Sequence, residues 1–123
     1  MPYEIEVEAN FSAAHALRGY GGACERLHGH NFVVIATARA EGLDEVGIGL
    51  DFKVFRAALG EVLEDMDHQN LNDLPDFRER NATAENVAAF IYARLAPKIE
   101  TNHVRLARVT VKESPKYAAS FVP

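Results

Sequence analysis

The sequence predicts an α+β fold, an antiparallel four-stranded sheet with two helices on one face, in the order β-β-α-α-β-β. Alternating apolar and polar residues near both ends of the chain indicate strands that each bury one side. Between these strands lie two segments whose apolar residues recur at the spacing of an amphipathic helix. Because no linker, repeat or low-complexity tract interrupts the 123 residues, we expect residues 1–123 to form a single domain.

The first two strands are predicted on either side of a glycine-rich loop. From Tyr3 to Phe11 the odd positions are apolar and the even positions polar, which is typical of a half-buried strand. A second strand is predicted from His28 to Ala40, where aromatic and β-branched residues are frequent. Residues 18–26 form the loop between them, and connections of this length often carry function.

Capping residues mark the start of both predicted helices. Asp51 stands at the N-cap position of the first, and Thr83 stands at that of the second. The first helix is expected to end around residues 67–72, and Pro97 is expected to mark the end of the second. The apolar stripes are Phe52, Phe55, Leu59, Val62, Leu63 and Met66 in the first helix, and Val87, Phe90, Ile91 and Leu95 in the second.

Two further strands are predicted, over residues 104–113 and 117–122. Such a sheet is too small to close on itself, so its edges remain open for pairing. Pairing with further copies of the chain would cover these edges, and we therefore expect a homo-oligomer.

The composition argues against a nucleic-acid-binding, membrane-bound or secreted protein. Thirteen lysines and arginines stand against 18 aspartates and glutamates, so the formal net charge is −5. Without a basic block, binding to nucleic acid or to an anionic membrane has little electrostatic support. No apolar run reaches the roughly 18 residues of a membrane span, and the first six residues do not resemble a signal peptide. The single cysteine excludes an intramolecular disulfide, so we expect a cytoplasmic protein.

Three of the five histidines are placed where the predicted strands would bring them together. His28 and His30 are two residues apart, so their side chains project from the same face of the second strand. His15 keeps the parity of the apolar face of the first strand, and a hairpin would place it beside them. Three neutral imidazoles with an open fourth position are typical of a catalytic zinc site, although copper, iron or nickel also accept such ligands.

Cys24 lies in the glycine-rich loop, four residues before His28. A lone cysteine is most often a buried apolar residue, but the neighbouring Gly22, Glu25 and Arg26 are typical of a solvated loop. A metal ion and Arg26 nearby would favour the thiolate, which suits a nucleophile or a general base.

Carboxylates and their neighbours supply three further candidate positions. Asp67 and His68 stand where the first helix is expected to end, either as a helix C-terminus with a cationic imidazole or as a carboxylate that orients a proton-carrying histidine. Glu113 shares the parity of the apolar Val109 and Val111, where a carboxylate is costly unless it binds a ligand or a cation. The alternative is that Glu113 has no functional role and simply ends a strand at the surface.

Six short motifs follow one another along almost the whole chain: Phe11–His15, Cys24–His30, Leu50–Phe52, Asp67–Leu71, Asn81–Asn86 and Val111–Ser114. Together they resemble the 6-pyruvoyl-tetrahydropterin synthase superfamily, and within it the bacterial 6-carboxy-5,6,7,8-tetrahydropterin synthases of the queuosine pathway. The most specific element is a cysteine spaced Cys-x-x-x-His-Gly-His. Ala82 and Lys112 depart from the family pattern, which often has proline and an aromatic residue at these positions.

The resemblance implies a site and a reaction. His15, His28 and His30 would bind zinc, Cys24 would be the catalytic thiol, and Asp67 with His68 would be its acid–base partners across a subunit interface. Glu113 would hold the guanidine-like edge of a pterin ring, and Thr83 would lie near the same pocket. The substrate would be 7,8-dihydroneopterin triphosphate, converted to 6-carboxy-5,6,7,8-tetrahydropterin with release of acetaldehyde and triphosphate.

The resemblance also implies the tunnelling fold, in which protomers join their sheets into an oligomeric barrel, here a hexamer built as a dimer of trimers. Candidates for holding the triphosphate are Arg18, Arg26, Lys53 and Lys116. Three different functions stay open at this point: a 6-pyruvoyl-tetrahydropterin synthase acting on the same substrate, a non-catalytic pterin- or metal-binding module, and a simple zinc hydrolase.

Overall fold

The computed structural model describes residues 1–123 and contains seven regular elements besides three short 3₁₀ turns. In chain order the elements are β1 (Tyr3–His15), β2 (His28–Ala40), α1 (Phe52–Glu64), β3 (Gln69–Asn70), α2 (Ala84–Ile99), β4 (Val104–Ser114) and β5 (Tyr117–Phe121). The 3₁₀ turns cover Gly22–Glu25, Leu71–Asp73 and Pro75–Phe77. None of the helices is both long enough and apolar enough to span a membrane.

The sheet has five strands in the order β3-β1-β2-β4-β5, so the prediction of a four-stranded antiparallel sheet was wrong in one respect. The four long strands are antiparallel neighbours, as predicted, whereas β3 pairs in parallel with residues 13–14 of β1. His68 turns the chain into this position with a φ of 59°, and its N–H donates to the Ser12 carbonyl at 2.6 Å. Two residues carry no readable periodicity, so β3 had no signal in the sequence.

The core lies between one face of the sheet and the two helices. Along β1 the odd positions from Val7 to His15 are buried or half-buried, and along β2 the even positions from Phe32 to Ala40 are fully covered. These residues form one apolar cluster with the inward side chains of α1 and α2. The opposite face of β1 exposes Glu4, Glu6 and Glu8. The alternation along the chain therefore predicted the correct inner and outer faces.

Both helices begin where their caps predict. A carboxylate oxygen of Asp51 accepts from the backbone N–H of Lys53 at 2.7 Å, and Thr83 Oγ1 accepts from that of Asn86 at 3.1 Å. Two expectations were wrong. Phe52 is 66% exposed rather than part of the buried stripe, and α2 continues past Pro97 because Ile99 packs its last turn into the core.

Strand β4 contains two irregularities that its sequence pattern did not predict. Against β2 the register shifts next to Ala107, so Leu106 and Val109 face the core together. Against β5 the register shifts between Lys112 and Ser114, which leaves Glu113 without a partner in the ladder. Bulges re-aim side chains and are frequent near functional sites. The second one gives Glu113 its position.

Candidate active site

Three imidazoles meet at the end of the β1–β2 hairpin, as the sequence predicts. His15 lies directly opposite His28 in the ladder, and His30 lies opposite Ala13. The ring centroids are 4.6, 4.9 and 5.2 Å apart, and one potential ligand atom from each ring lies within 4.8 Å of the other two. We call His15, His28 and His30 the histidine cluster.

Hydrogen bonds orient two rings of the cluster. His15 Nδ1 lies 2.7 Å from the Ala82 carbonyl, and His28 Nδ1 lies 2.8 Å from the Arg26 carbonyl. A carbonyl only accepts, so Nδ1 is the donor in both rings, and Nε2 is the nitrogen that the neutral form of each ring offers to a metal ion. Metal-binding histidines commonly use a carbonyl in this way.

One atom, His15 Nε2, indicates that the histidine cluster is suited to bind a metal ion. His15 is 1% exposed, and its Nε2 is a buried polar atom without any hydrogen-bond partner. Such atoms are rare because burial without a partner costs free energy. Three convergent imidazoles form a donor set that zinc and other transition metals accept.

Burial also sets the protonation state of His15. It lowers the pKa of His15 below 6.5 and outweighs the Ala82 carbonyl and the Glu113 carboxylate, which both raise it. A lowered pKa keeps the imidazole neutral at physiological pH, which is the form that binds a metal ion.

Glu113 lies beside the histidine cluster. One carboxylate oxygen is 3.8 Å from His15 Nε2, and the other is 3.8 Å from His30 Nε2. The Glu113 side chain is only 31% exposed, so it is not simply a strand end at the surface. It lies between the histidine cluster and an open cavity that it lines.

This cavity of about 400 Å³ brings together three of the predicted site residues, Cys24, Thr83 and Glu113. We call it the thiol cavity. Its volume falls in the range of small-molecule sites. The other lining residues are Leu17, Tyr20, Ala84, Glu85, Tyr117, Ala118 and Ala119. Tyr20 and Tyr117 were not predicted from the sequence because no motif links them, and only the fold places their segments together.

Cys24 is free and half-buried within the short turn Gly22–Glu25. No residue of that turn is buried, so the sulfur is not part of the apolar core. The predicted solvated loop is therefore present, with the thiol at one wall of the cavity.

Asp67 and His68 are in contact, with 3.0 Å between His68 Nδ1 and a carboxylate oxygen of Asp67. The Ser12 backbone N–H donates to Asp67 at 2.9 Å and is the main reason why the pKa of Asp67 is lowered. The His68 side chain is 80% exposed and lines a different cleft, together with His30, Asn31 and others. Within one chain, this pair and Cys24 do not share a cavity.

Two of the candidate triphosphate ligands have other neighbours within one chain. The Arg18 guanidinium donates to the Phe77 carbonyl at 2.9 Å, which gives it a structural partner. Lys53 lies in the first turn of α1, next to Asp51, which lines a cavity with Tyr3 at the opposite end of β1 from His15.

The chain matches one protein family over nearly its whole length. The profile of the 6-pyruvoyl tetrahydropterin synthase family matches residues 4–123. A Bacillus subtilis protein named 6-carboxy-5,6,7,8-tetrahydropterin synthase is 33% identical over 98% of the chain and 86% of that protein. A Pyrococcus furiosus protein named dihydroneopterin monophosphate aldolase is 32% identical over 98% of each.

The same likeness holds in three dimensions. The structure of 6-pyruvoyl tetrahydropterin synthase from Caenorhabditis elegans superimposes with a TM-score of 0.89 at 28% identity. The alignment covers 100% of the chain and 96% of the nematode protein. Sequence and fold thus agree over the full length.

Proposed function

The chain belongs to the 6-pyruvoyl tetrahydropterin synthase family, a family of pterin lyases, and from this premise we propose that it is a zinc-dependent 6-carboxy-5,6,7,8-tetrahydropterin synthase. The proposed substrate is 7,8-dihydroneopterin triphosphate. With one water consumed, the products are 6-carboxy-5,6,7,8-tetrahydropterin, acetaldehyde and triphosphate. The proposed biological setting is queuosine or 7-deazapurine synthesis in the cytoplasm.

The observation that carries the proposal is the thiol cavity, which Cys24 and Glu113 both line and whose Glu113 lies 3.8 Å from two rings of the histidine cluster. The relatives named 6-carboxytetrahydropterin synthase support the choice of product. The spacing of Cys24 before His28 and His30 supports it independently, since pyruvoyl-forming relatives typically have a longer gap.

The proposed ligands of the zinc ion are His15, His28 and His30. When bound, zinc supplies Lewis-acid stabilisation of negative charge that develops on the side-chain oxygens of the substrate. The carbonyls of Ala82 and Arg26 hold two of the rings in the tautomer that this requires.

Cys24 is the proposed base. As a thiolate it would take a proton from a side-chain carbon of the substrate, and His68 would return or relay a proton. The two steps move unsaturation between ring and side chain without a redox cofactor. A carboxylate oxygen of Asp67 lies 3.0 Å from His68 Nδ1, and this contact would fix which nitrogen of His68 faces the substrate.

Glu113 is the proposed pterin ligand. A carboxylate accepts two parallel hydrogen bonds from a guanidine-like edge, as it does from arginine. Thr83 lines the same cavity and is assigned to substrate binding, although its hydroxyl already accepts from the Asn86 N–H. Both residues would orient the ring so that its side chain extends toward the histidine cluster.

The complete site is proposed to need more than one chain. Because His68 and Cys24 lie on different cavities of one chain, His68 would act on the Cys24 of a neighbouring copy. The open edges of the sheet provide the surfaces for such pairing, and a hexamer built as a dimer of trimers is the proposed assembly.

The proposal is tested by incubating the zinc-loaded protein with 7,8-dihydroneopterin triphosphate and analysing the products by mass spectrometry. We expect 6-carboxytetrahydropterin and acetaldehyde in equal amounts. Cys24→Ala should abolish turnover while zinc is retained, whereas His28→Ala should lose both zinc and turnover. Full activity of the Cys24 variant would exclude the mechanism and favour a simple zinc hydrolase.

The same assay distinguishes the sibling synthase from a non-catalytic module. A pyruvoyl product without acetaldehyde indicates the sibling synthase, and binding without turnover indicates a non-catalytic module. Because the Pyrococcus relative is named an aldolase, dihydroneopterin monophosphate is tested in parallel. If the protein cleaves only dihydroneopterin monophosphate, this monophosphate is the substrate and the triphosphate is not.

A further inference from the structure

The backbone that follows His15 is held by two asparagine side chains. Asn72 accepts from the Ala16 N–H at 2.8 Å and donates to the Ala16 carbonyl at 2.9 Å. Asn81 accepts from the Arg18 N–H at 2.9 Å and donates to the Arg18 carbonyl at 2.8 Å. Each amide therefore forms a two-bond pair with one residue of the chain, as a neighbouring strand would.

The alternation of these contacts matches an extended segment. Ala16 and Arg18, two residues apart, present their N–H and carbonyl groups to the asparagines on one edge. Leu17, between them, donates its N–H to the Cys24 carbonyl at 2.8 Å. The two asparagines thus fix residues 16–18, and Leu17 in this segment holds the Cys24 backbone.

Both asparagines are themselves held by regular structure. The Asn72 N–H donates to the side chain of Asn70 at 3.1 Å, and Asn70 pairs with Ala14 in the sheet. The Asn81 carbonyl accepts from the Asn86 side chain at 2.9 Å, in the first turn of α2. The sheet and α2 therefore determine where residues 16–18 lie.

The loop that carries Cys24 has little else to hold it. Residues 18–23 are all exposed, and Gly19, Gly21 and Gly22 adopt positive φ angles that favour glycine. Around Cys24 the other hydrogen bonds are local, such as Arg26 N–H to the Ala23 carbonyl at 3.1 Å. The bond from Leu17 ties the Cys24 backbone to the segment that directly follows β1.

We propose that Asn72 and Asn81 are positioning residues for Cys24, acting through the backbone of residues 16–18 to hold the thiol at the wall of the cavity beside the histidine cluster. The role as a positioning device for catalysis rests on the proposed function. The placement of the loop does not depend on it, because it follows from the hydrogen bonds alone.

Asn72→Ala is the primary test, since Asn81 precedes Ala82, whose carbonyl also contacts His15. Two measurements need no activity: deuterium uptake of peptides spanning residues 16–24, and the rate at which iodoacetamide alkylates Cys24, the only cysteine. We expect both to increase in Asn72→Ala and in Asn81→Ala. Asn102→Ala is the matched control because Asn102 is exposed and makes no side-chain hydrogen bond, and it should behave as wild type.

The catalytic measurement follows on the zinc-loaded protein. In Asn72→Ala we expect kcat to fall about 10- to 100-fold, the cost of a reacting group displaced by about an ångström. Zinc affinity should stay within about a factor of two, rather than fall the roughly 10- to 100-fold typical of lost ligand support. Asn72→Asp keeps the acceptor for the Ala16 N–H and loses the donor to the Ala16 carbonyl. Its kcat should therefore lie between that of the wild type and that of Asn72→Ala.

Each contrary result has a distinct meaning. Unchanged deuterium uptake and alkylation in both alanine variants would overturn the proposal, whatever the activity. Faster uptake with wild-type kcat would also overturn it, because the loop would then be held for no catalytic purpose. If the wild type itself does not turn over the pterin, the proposed function fails, and uptake and alkylation still decide whether the asparagines hold Cys24.

Discussion

At the scale of single residues, His15 bears the strongest constraint in the site. It is the only buried histidine, its Nδ1 is bound to the Ala82 carbonyl, and its Nε2 has no partner within the chain. The apoprotein therefore keeps a buried neutral imidazole that a metal ion would satisfy. Protonation of this ring would place a charge in the interior, where charges are costly.

Metal-free protein should lose stability as the pH falls below about 6.5. Because burial lowers the pKa of His15 in the folded chain, the unfolded chain binds a proton there first. The free energy of unfolding therefore decreases as pH falls from about 6.5 to the lowered folded pKa, and is unaffected by this group above that range. Urea unfolding of the apoprotein between pH 7.5 and about 5 measures the slope.

The matched pair for this measurement is His15→Gln and His103→Gln. His103 lies exposed in the turn before β4, so its replacement should leave the slope unchanged. His15→Gln should flatten the slope. Equal slopes in His15→Gln and wild type would show that another group is responsible.

At the scale of elements, the caps and the bulge place the site in different ways. Asp51 determines where α1 begins, far from the histidine cluster. The bulge in β4 instead acts directly at the site, because it leaves Glu113 unpaired and 3.8 Å from two imidazoles. A change at the cap should therefore affect stability alone.

Asp51→Ala should lower the free energy of unfolding by about 1 kcal/mol, the usual cost of losing an N-cap. Zinc affinity should not change, since α1 begins at the opposite end of β1 from the histidine cluster. Equilibrium urea unfolding and a zinc titration measure the two quantities. Glu45→Ala, at an exposed acidic residue without a salt bridge, is the control. A loss of zinc affinity, or no loss of stability, would contradict this separation.

Periodicity explains which elements the sequence predicts. Alternation along β1 and the two-residue spacing of His28 and His30 suffice to bring three rings together, because facing strands fix the parity of each side chain. The bulges at Ala107 and Glu113 and the two-residue β3 leave no periodic signal. The cost of a carboxylate at an apolar position singled out Glu113 in the sequence, and the structure places it 3.8 Å from two imidazoles; its role as a site residue stays a prediction.

At the scale of the whole molecule, the candidate site residues are divided between two cavities. The thiol cavity contains Cys24, whereas His68 lines a cleft that contains Asn31 and His30. The residue patterns of the chain do not predict this separation, since it depends on where the turn after α1 lies relative to the loop before β2; only the family resemblance implied partners across a subunit interface. The separation accounts for the proposal that an assembled site takes residues from two chains.

Complementation between inactive variants tests the shared site. Cys24→Ala and His68→Ala should each be inactive alone, and co-assembled chains should regain turnover because some sites combine an intact Cys24 with the His68 of a neighbour. A mixture of Cys24→Ala chains with His28→Ala chains is the control. It should stay inactive, because Cys24 and His28 of one chain serve the same site and neither can be supplied by a neighbour. Recovery in neither mixture would contradict a shared site.

Three imidazoles are proposed to hold a metal ion, with the Cys24 sulfur beside this ion and not among its ligands. X-ray absorption spectroscopy of the zinc-loaded protein tests this most directly, because zinc–sulfur and zinc–nitrogen bonds differ clearly in length. We predict one zinc ion per chain with nitrogen and oxygen ligands only. A sulfur ligand, or no stoichiometric zinc at all, would contradict the claim.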